Sequence, residues 1–250
     1  MRKALRATLR KGDRDTLERL AAVREPYVLD AYPRYWLLTT LLARSEPASA
    51  SALEAFLAEE AGSNLAERLR ADWLRRMAKD GDWAGFVRLY PGLQNPDGEL
   101  RCAAWTARLL TGDRSALDEV AQQWDGLTDA HDACDLPLRS AIGSGHVGED
   151  RVWQRIRRQV DTRSPAAALA SLTLLPQDTA PAAADLDQAI RSPAPWLDRL
   201  PANFAVPRAG RELALAALIR LSREDVPGAR LRLLRIQDRL NAEERSYANL

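Results

Sequence analysis

The sequence predicts an all-α protein: a superhelical stack of antiparallel helix hairpins, of the α-solenoid type, forming a horseshoe or a ring segment. Gly-Asp steps separate amphipathic segments, because glycine can close a helix in the left-handed conformation and aspartate can cap the next helix. Apolar residues recur with the period of a helix, and no useful stretch alternates as a half-buried strand would. The steps are Gly12-Asp13, Gly81-Asp82 and Gly112-Asp113.

Helix signals follow one another through the first half of the chain. Leu17, Leu20 and Val23 fit the inner face of a helix that starts at Asp13. The clearest stripe is formed by Leu65, Leu69, Trp73 and Met77, which recur every fourth residue. Further helices are predicted from Pro33 to Leu42, around Leu53 to Leu57, from Asp82 to Tyr90, from Leu100 to Leu110 and from Ser115 to Trp124.

The second half continues the pattern with shorter helices in a proline-rich region. Glycines at positions 81, 112 and 143 are 31 residues apart, a spacing close to the period of helical-repeat proteins. Since one hairpin cannot bury its own inner face, stacking of neighbours supplies the core. The predicted helices span Cys134 to Ile142, Val152 to Val160, Pro165 to Leu172, Leu186 to Ile190, Trp196 to Leu200, Leu213 to Leu221 and Asp225 to Leu240.

Length and composition limit the class of protein. The chain has 250 residues, of which 46% are hydrophobic, so a large folded core is expected and global disorder is excluded. A formal net charge of +1 argues against a general nucleic-acid binder. No stretch approaches the roughly 20 apolar residues that a membrane span requires, and no signal peptide is predicted.

The end of the chain predicts that it is part of a longer protein. Asn241 to Arg245 has the pattern of the first turn of another helix, with no terminating signal after it. We therefore expect residues 1–250 to be a single α-superhelical domain, cut from something longer.

No catalytic, cofactor or metal residues are predicted. The two histidines, His131 and His146, lie in no HExxH or paired His/Cys arrangement, and His131 near Cys134 does not complete a metal site or a catalytic pair. The chain has no GxSxG elbow and no GxxxxGK[ST] phosphate loop.

The carboxylate pairs, tryptophans and clustered arginines are interpreted as parts of the solvated surface or of the core, not as sites of chemistry. The pairs Glu59-Glu60 and Glu149-Asp150 are expected to be solvated at helix ends. A row of three arginines is expected to form a solvated helix face, with an anion-binding surface as the alternative. These arginines are Arg155, Arg157 and Arg158; the tryptophans assigned to the core are Trp73, Trp83, Trp105 and Trp153.

The two cysteines, Cys102 and Cys134, are separated by about one hairpin length. They are either buried thiols in a reducing compartment or a disulfide between neighbouring helices. A disulfide would close a loop of about 33 residues, which in the chain-entropy model stabilises the fold by roughly 3–4 kcal/mol.

Several segments together resemble the N-terminal superhelical (U-type) domain of the soluble lytic murein transglycosylases, over roughly residues 1–240. The middle of the chain carries most of the resemblance. The matching segments are Asp72 to Ala78 running into Gly81 to Phe86 and Tyr90, Leu100 to Trp105 ending at Gly112, Cys134 to Leu138 with Ser144-Gly145, Val152 to Ile156, and more weakly Tyr32 to Trp36.

The resemblance implies a periplasmic protein whose helical domain precedes a lysozyme-like catalytic domain. That family cleaves peptidoglycan between N-acetylmuramic acid and N-acetylglucosamine, without adding water, to leave a 1,6-anhydro end. Its catalytic glutamate lies in a Glu-Ser motif of the C-terminal domain, and no glutamate of this chain is followed by serine. The resemblance also implies a disulfide between the cysteines at Cys102 and Cys134.

Three functional hypotheses follow. The first is a non-catalytic scaffold that positions peptidoglycan glycan strands, or braces the family's own C-terminal catalytic domain, with no cofactor. The alternative is a cytosolic helical-repeat adaptor for protein–protein interaction, for which free thiols would be the evidence. A helical-repeat nucleic-acid binder is disfavoured by the charge balance.

Overall fold

The computed structural model describes residues 14–23, 29–44, 50–127, 132–162 and 164–248. The predictions at Gly12-Asp13 and His131 lie outside the described residues. All regular structure in the described ranges is helical, with no strand, which confirms the predicted all-α class. The chain comprises two compact units, Met1–Arg114 and Ser115–Leu250. Whether residues 1–250 act as one domain stays a prediction.

The first unit contains six α-helices in its described part. Consecutive helices pack against each other, and α2 also contacts α4. The helices are α1 (Arg14–Ala21), α2 (Ala31–Ala43), α3 (Ala50–Glu59), α4 (Asn64–Asp80), α5 (Trp83–Leu89) and α6 (Gly98–Leu110).

Helix α4 is the central helix of the first unit. Leu69 and Trp73 bury one of its faces with Phe56 of α3, while Leu74 packs with Phe86 and Leu100 of α5 and α6. The four-residue stripe predicted from the sequence is therefore confirmed as a buried face. A helix with core on both sides needs two apolar faces, and in α4 the neighbouring residues Trp73 and Leu74 lie one on each face.

The Gly81-Asp82 step behaves as the sequence predicts. Gly81 closes α4 at φ 77°, in the left-handed region, and the Asp82 carboxylate accepts a hydrogen bond from the Gly85 N–H at 2.9 Å. The second step differs. Gly112 has φ 95°, but Asp113 pairs with Arg108 at 2.7 Å, and the next helix begins only at Ala116.

Two predicted inner-face residues of the first unit are exposed. Val23 is 55% exposed, since α1 ends at Ala21 and Val23 lies beyond the last turn. Val87 is 36% exposed on α5, a helix of seven residues that buries Gly85 and Phe86 instead. A helix this short has room for few inward positions.

The second unit contains nine α-helices in its described part. Helix α9 contacts α10 and α13, and α13 also contacts α11, α12, α14 and α15. The helices are α7 (Ala116–Gln123), α8 (Asp135–Gly143), α9 (Glu149–Asp161), α10 (Pro165–Leu172), α11 (Ala183–Arg191), α12 (Pro193–Asp198), α13 (Arg208–Ser222), α14 (Val226–Ile236) and α15 (Ala242–Ala248).

Helix α13 is the centre of the second unit. Ala214, Ala217 and Leu218 lie in a buried cluster with Leu197 of α12 and Phe204 of the following segment. Small residues on α13 let its neighbours approach closely, so that the proline-rich region packs onto it as two short helices. Of the three glycines spaced 31 residues apart, only Gly81 and Gly112 adopt the left-handed conformation. At the third position Gly143 is helical, and the left-handed glycine is Gly145, at φ 77°.

Candidate functional site

The paired carboxylates singled out in the sequence are bound to arginines or to an indole. Glu59 and Glu60 lie within 2.6 and 3.6 Å of the two terminal nitrogens of Arg34. Glu149 accepts a hydrogen bond from the Trp153 indole at 3.0 Å, and Asp150 pairs with Arg208. The ion pairs with Arg34 and Arg208 join different helices, whereas the Glu149–Trp153 hydrogen bond lies within α9.

The prediction of a solvated arginine face on α9 is wrong for two of its three members. Arg155 and Arg157 are each only 4% exposed. The Arg155 guanidinium lies over the Trp124 ring, 5.5 Å from its centroid, and donates a hydrogen bond to Ser171. Only Arg158 lies at the surface, where it pairs with Asp125.

Arg157 belongs to a buried ion-pair network. Its Nε and Nη2 donate to Glu212 of α13 at 2.7 and 2.8 Å, and Nη1 donates to Glu243 of α15 at 3.2 Å. Burial by itself would lower the pKa of the Arg157 guanidinium, but the hydrogen bonds and charges of Glu212 and Glu243 outweigh it and raise that pKa. Arg208 reaches the second oxygen of Glu212 at 3.3 Å.

No group of three or more His, Cys, Asp or Glu side chains that could hold a metal lies within the described ranges. His146 contacts the Ser144 hydroxyl at 2.8 Å and the Asp118 carboxylate at 3.5 Å. Among the described helices, none is both long and apolar enough to cross a membrane.

Both cysteines are disulfide-bonded in the structure, so neither is a free thiol. Cys102 lies on α6 and Cys134 ends a 3-10 turn just before α8, and both are fully or almost fully buried. Of the two states that the sequence left open, buried thiols or a disulfide, the structure has the disulfide-bonded state.

The tryptophans divide into core and groove residues. Trp73, Trp105 and Trp153 are buried as predicted. Trp83 is half-buried and packs against the cluster that contains Leu74 and Phe86. Trp196 is different. It is half-buried at the edge of the α13 cluster and also lines a groove.

This groove, hereafter the Trp196 groove, lies within the second unit between α11, α12, the segment 199–207 and the first turns of α13. Its volume is about 660 Å³. Apolar surface comes from Trp196, Phe204 and Leu213, and polar side chains come from α11, from the residue before α12 and from the segment 199–207. The polar side chains are Asp185, Gln188, Ser192, Arg199 and Asn203.

Backbone packing sets the shape of the groove. Pro207 precedes the first residue of α13, and Gly210 in the first turn touches the Phe204 carbonyl so closely that an added Cβ would overlap its oxygen. Because glycine has no Cβ, the backbone of the segment 199–207 can pack closely against the first turn of α13. Proline and glycine positions, rather than any motif, form this surface.

An arginine-rich pocket of about 220 Å³ lies on the other side of Phe204. Arg232 and Arg235 pair there with Asp198 at 2.6 and 3.4 Å. Arg239 lies 5.9 Å from the Phe204 centroid and donates to the Ala202 carbonyl. With three guanidinium groups against one carboxylate, this pocket has an excess of positive charge.

The described residues define an all-α fold of packed helices with a groove on the second unit. No protein-family model and no curated protein matches the chain. Solved structures do match. A 70-kDa soluble lytic transglycosylase in complex with bulgecin A superposes with TM-score 0.71 at 20% identity, over 99% of this chain and 40% of that chain.

Two further solved structures agree. The 70-kDa soluble lytic transglycosylase of Escherichia coli gives TM-score 0.69 at 19% identity, over 98% of this chain and 39% of that chain. An inactive mutant of the lytic transglycosylase Slt from Pseudomonas aeruginosa gives TM-score 0.68 at 24% identity, over 97% of this chain and 39% of that chain. The chain thus has the fold of about 40% of the length of these proteins, which confirms the resemblance at the level of fold.

Proposed function

We propose that this chain is the non-catalytic helical part of a peptidoglycan lytic transglycosylase. The observation that carries the proposal is the likeness in fold to soluble lytic transglycosylases over nearly the whole chain. In that role the chain holds glycan strands, or braces a catalytic domain that cleaves between N-acetylmuramic acid and N-acetylglucosamine to leave 1,6-anhydro ends.

The arrangement of charged groups supports a scaffold role. An acid that cleaves a glycosidic bond must reach the sugar inside a cleft. The acid pairs of α3 and α9 are instead engaged by Arg34, Arg208 and the Trp153 indole. None of these four carboxylates lines the Trp196 groove or the arginine-rich pocket beside it.

A periplasmic location is part of the same proposal. Disulfides persist in oxidising compartments, including the bacterial periplasm, and are rare in the cytosol. The disulfide-bonded state of Cys102 and Cys134 supports export, and it counts against the cytosolic adaptor.

The test is co-sedimentation of the purified chain with peptidoglycan sacculi, followed by analysis of the soluble products. We expect the chain to pellet with sacculi but not with cellulose of matched mass, and to release no anhydro-muropeptides. A chain that stays in the supernatant at all concentrations would contradict the glycan-holding role. Release of anhydro-muropeptides would contradict the non-catalytic role.

A further inference from the structure

We propose that the Trp196 groove is a binding subsite for a short segment of glycan built from N-acetylated amino sugars. The inference rests on the proposed function, and it assigns the contact with glycan to one surface of the second unit. Three features of the groove carry it: a partly exposed aromatic ring, polar side chains without protein partners, and near-neutral charge.

The aromatic feature is Trp196. One part of its indole packs on the buried α13 cluster, which fixes the ring, while another part lines the groove next to Phe204. A sugar ring has an apolar face of C–H groups that packs flat against an aromatic ring, and a fixed ring loses little entropy when it is covered. The other tryptophans of the unit, Trp124 and Trp153, are fully buried and present no such face.

The polar feature is a set of side chains with unused hydrogen-bonding groups. Within the described residues, the side chains of Asp185, Gln188 and Asn203 make no hydrogen bond or ion pair. Two amides and a carboxylate offer both donors and acceptors, which is the combination that hydroxyl and acetamido groups require. Small-molecule sites typically combine an apolar wall with a few such polar groups.

Size and charge favour a small uncharged ligand over a nucleic-acid strand. A volume of about 660 Å³ lies within the range of small-ligand sites, roughly 300–1,000 Å³. The groove is lined by one cation, Arg199, and one anion, Asp185, so its charges balance. A nucleic-acid strand would need several cations along its path. An uncharged sugar segment needs none.

The experiment uses the full chain labelled with 5-fluorotryptophan and observed by ¹⁹F NMR. The probe is N-acetylchitotetraose, and Trp196→Phe assigns the Trp196 resonance among the seven. We expect that resonance to shift on titration, with the Trp83 resonance unchanged. Cellotetraose, which lacks acetamido groups, should cause a shift at least fivefold weaker at equal concentration.

Variants locate the site. Trp196→Ala should raise the Kd for the probe about tenfold or more, as loss of an aromatic contact at the centre of a site does. Gln188→Ala should raise it severalfold without affecting folding, because the side chain is exposed. The matched control is Gln123→Ala, an exposed helical glutamine of the same unit outside the groove, which should bind the probe normally.

The outcomes separate this inference from the proposed function. If the chain pellets with sacculi but the probe leaves the Trp196 resonance unmoved, the groove is not the subsite while the function stands. Equal shifts with cellotetraose, or a Kd unaffected by both Trp196→Ala and Gln188→Ala, would also overturn the inference. A proline-rich peptide that shifts Trp196 more strongly than the probe would assign the groove to peptides instead, since aromatic-lined grooves bind such segments.

Discussion

The Glu212 carboxylate is a buried charge of the second unit that has two arginine partners. It is 3% exposed and accepts hydrogen bonds from both Arg157 and Arg208. Removing one partner of a buried ion pair leaves the other charge uncompensated, which typically costs about 3–5 kcal/mol. We expect Glu212→Ala to lower the free energy of unfolding by about that amount, as measured by urea denaturation.

The control for Glu212 is Glu224→Ala on the surface. Glu224 pairs with Arg220 at 3.7 Å, and its side chain is 66% exposed. Exposed pairs contribute little, so a change below about 0.5 kcal/mol is expected. Equal losses in the two variants would show that the buried network does not stabilise the unit.

The pKa values of Asp72 and Asp125 are shifted in opposite directions. Burial raises the pKa of Asp72, although Arg75 and Arg68 oppose it, whereas the hydrogen bond from Arg158 lowers the pKa of Asp125. The stability contributed by protonated Asp72 is present below its unfolded-state pKa, about 4, and is lost as the pH rises through the folded value. That of Asp125 is present above about 4 and is lost as the pH falls through its folded value.

Carboxyl ¹³C chemical shifts measured against pH test this pair. As the pH falls, Asp72 should protonate before Asp125. Both side chains are about half exposed, so the effect on total stability is small and the site-specific titration is the proper measurement. Arg158→Ala should return the Asp125 midpoint toward its ordinary value and leave Asp72 unchanged. The reverse order of protonation in the unmodified chain would contradict the assignment.

At the scale of the element, Gly210 decides how the segment 199–207 packs on α13. A methyl group at position 210 would overlap the Phe204 carbonyl, so either the helix or the segment must shift. Overpacking of this kind typically costs about 1–3 kcal/mol. We expect Gly210→Ala to lower the urea midpoint and to shift the ¹⁹F resonance of Trp196.

The matched substitution is Gly143→Ala, also at a helical glycine. A Cβ there meets no atom within 4 Å, so the change should be neutral or stabilising by up to about 1 kcal/mol through helix propensity. If Gly210→Ala were as harmless as Gly143→Ala, close packing of the Phe204 segment would not be what shapes the groove.

The sequence predicts elements well where the signal is local and fails where it is not. The periodic face of α4 and the cap at Asp82 depend on residues within four positions of each other, and both are confirmed. The buried state of Arg157 depends on Glu212 and Glu243, which lie 55 and 86 residues away. From sequence alone, a charged residue on a helix rich in polar residues is assigned to the surface. Its burial can be predicted only when distant partners such as Glu212 and Glu243 are known.

At the scale of the whole molecule, the all-α class was predictable but the groove was not. Helix periods and helix breaks repeat along the entire chain, and their sum determines the class. The groove needs side chains from α11, α12, the segment 199–207 and α13 to meet, and no motif links Gln188, Trp196 and Asn203. Trp196 lies between Pro195 and Pro201 and carries one usable signal: it is an aromatic residue outside any long helical stripe.

The disulfide-bonded state of the cysteines predicts how the whole chain responds to reduction. The family resemblance implies that Cys102 and Cys134 pair with each other, and such a bridge would close a loop of about 33 residues. In the chain-entropy model, closing that loop in the unfolded chain stabilises the fold by roughly 3–4 kcal/mol. The Cys102→Ala/Cys134→Ala variant should therefore unfold at lower urea, and adding reductant to the unmodified chain under denaturing conditions should bring its midpoint down to match. Because a disulfide-bonded cysteine has no free thiol, iodoacetamide should add no mass to the protein without reductant and two adducts after unfolding with reductant. Alkylation of unfolded protein without reductant, or a urea midpoint unaffected by reductant, would contradict a stabilising bridge.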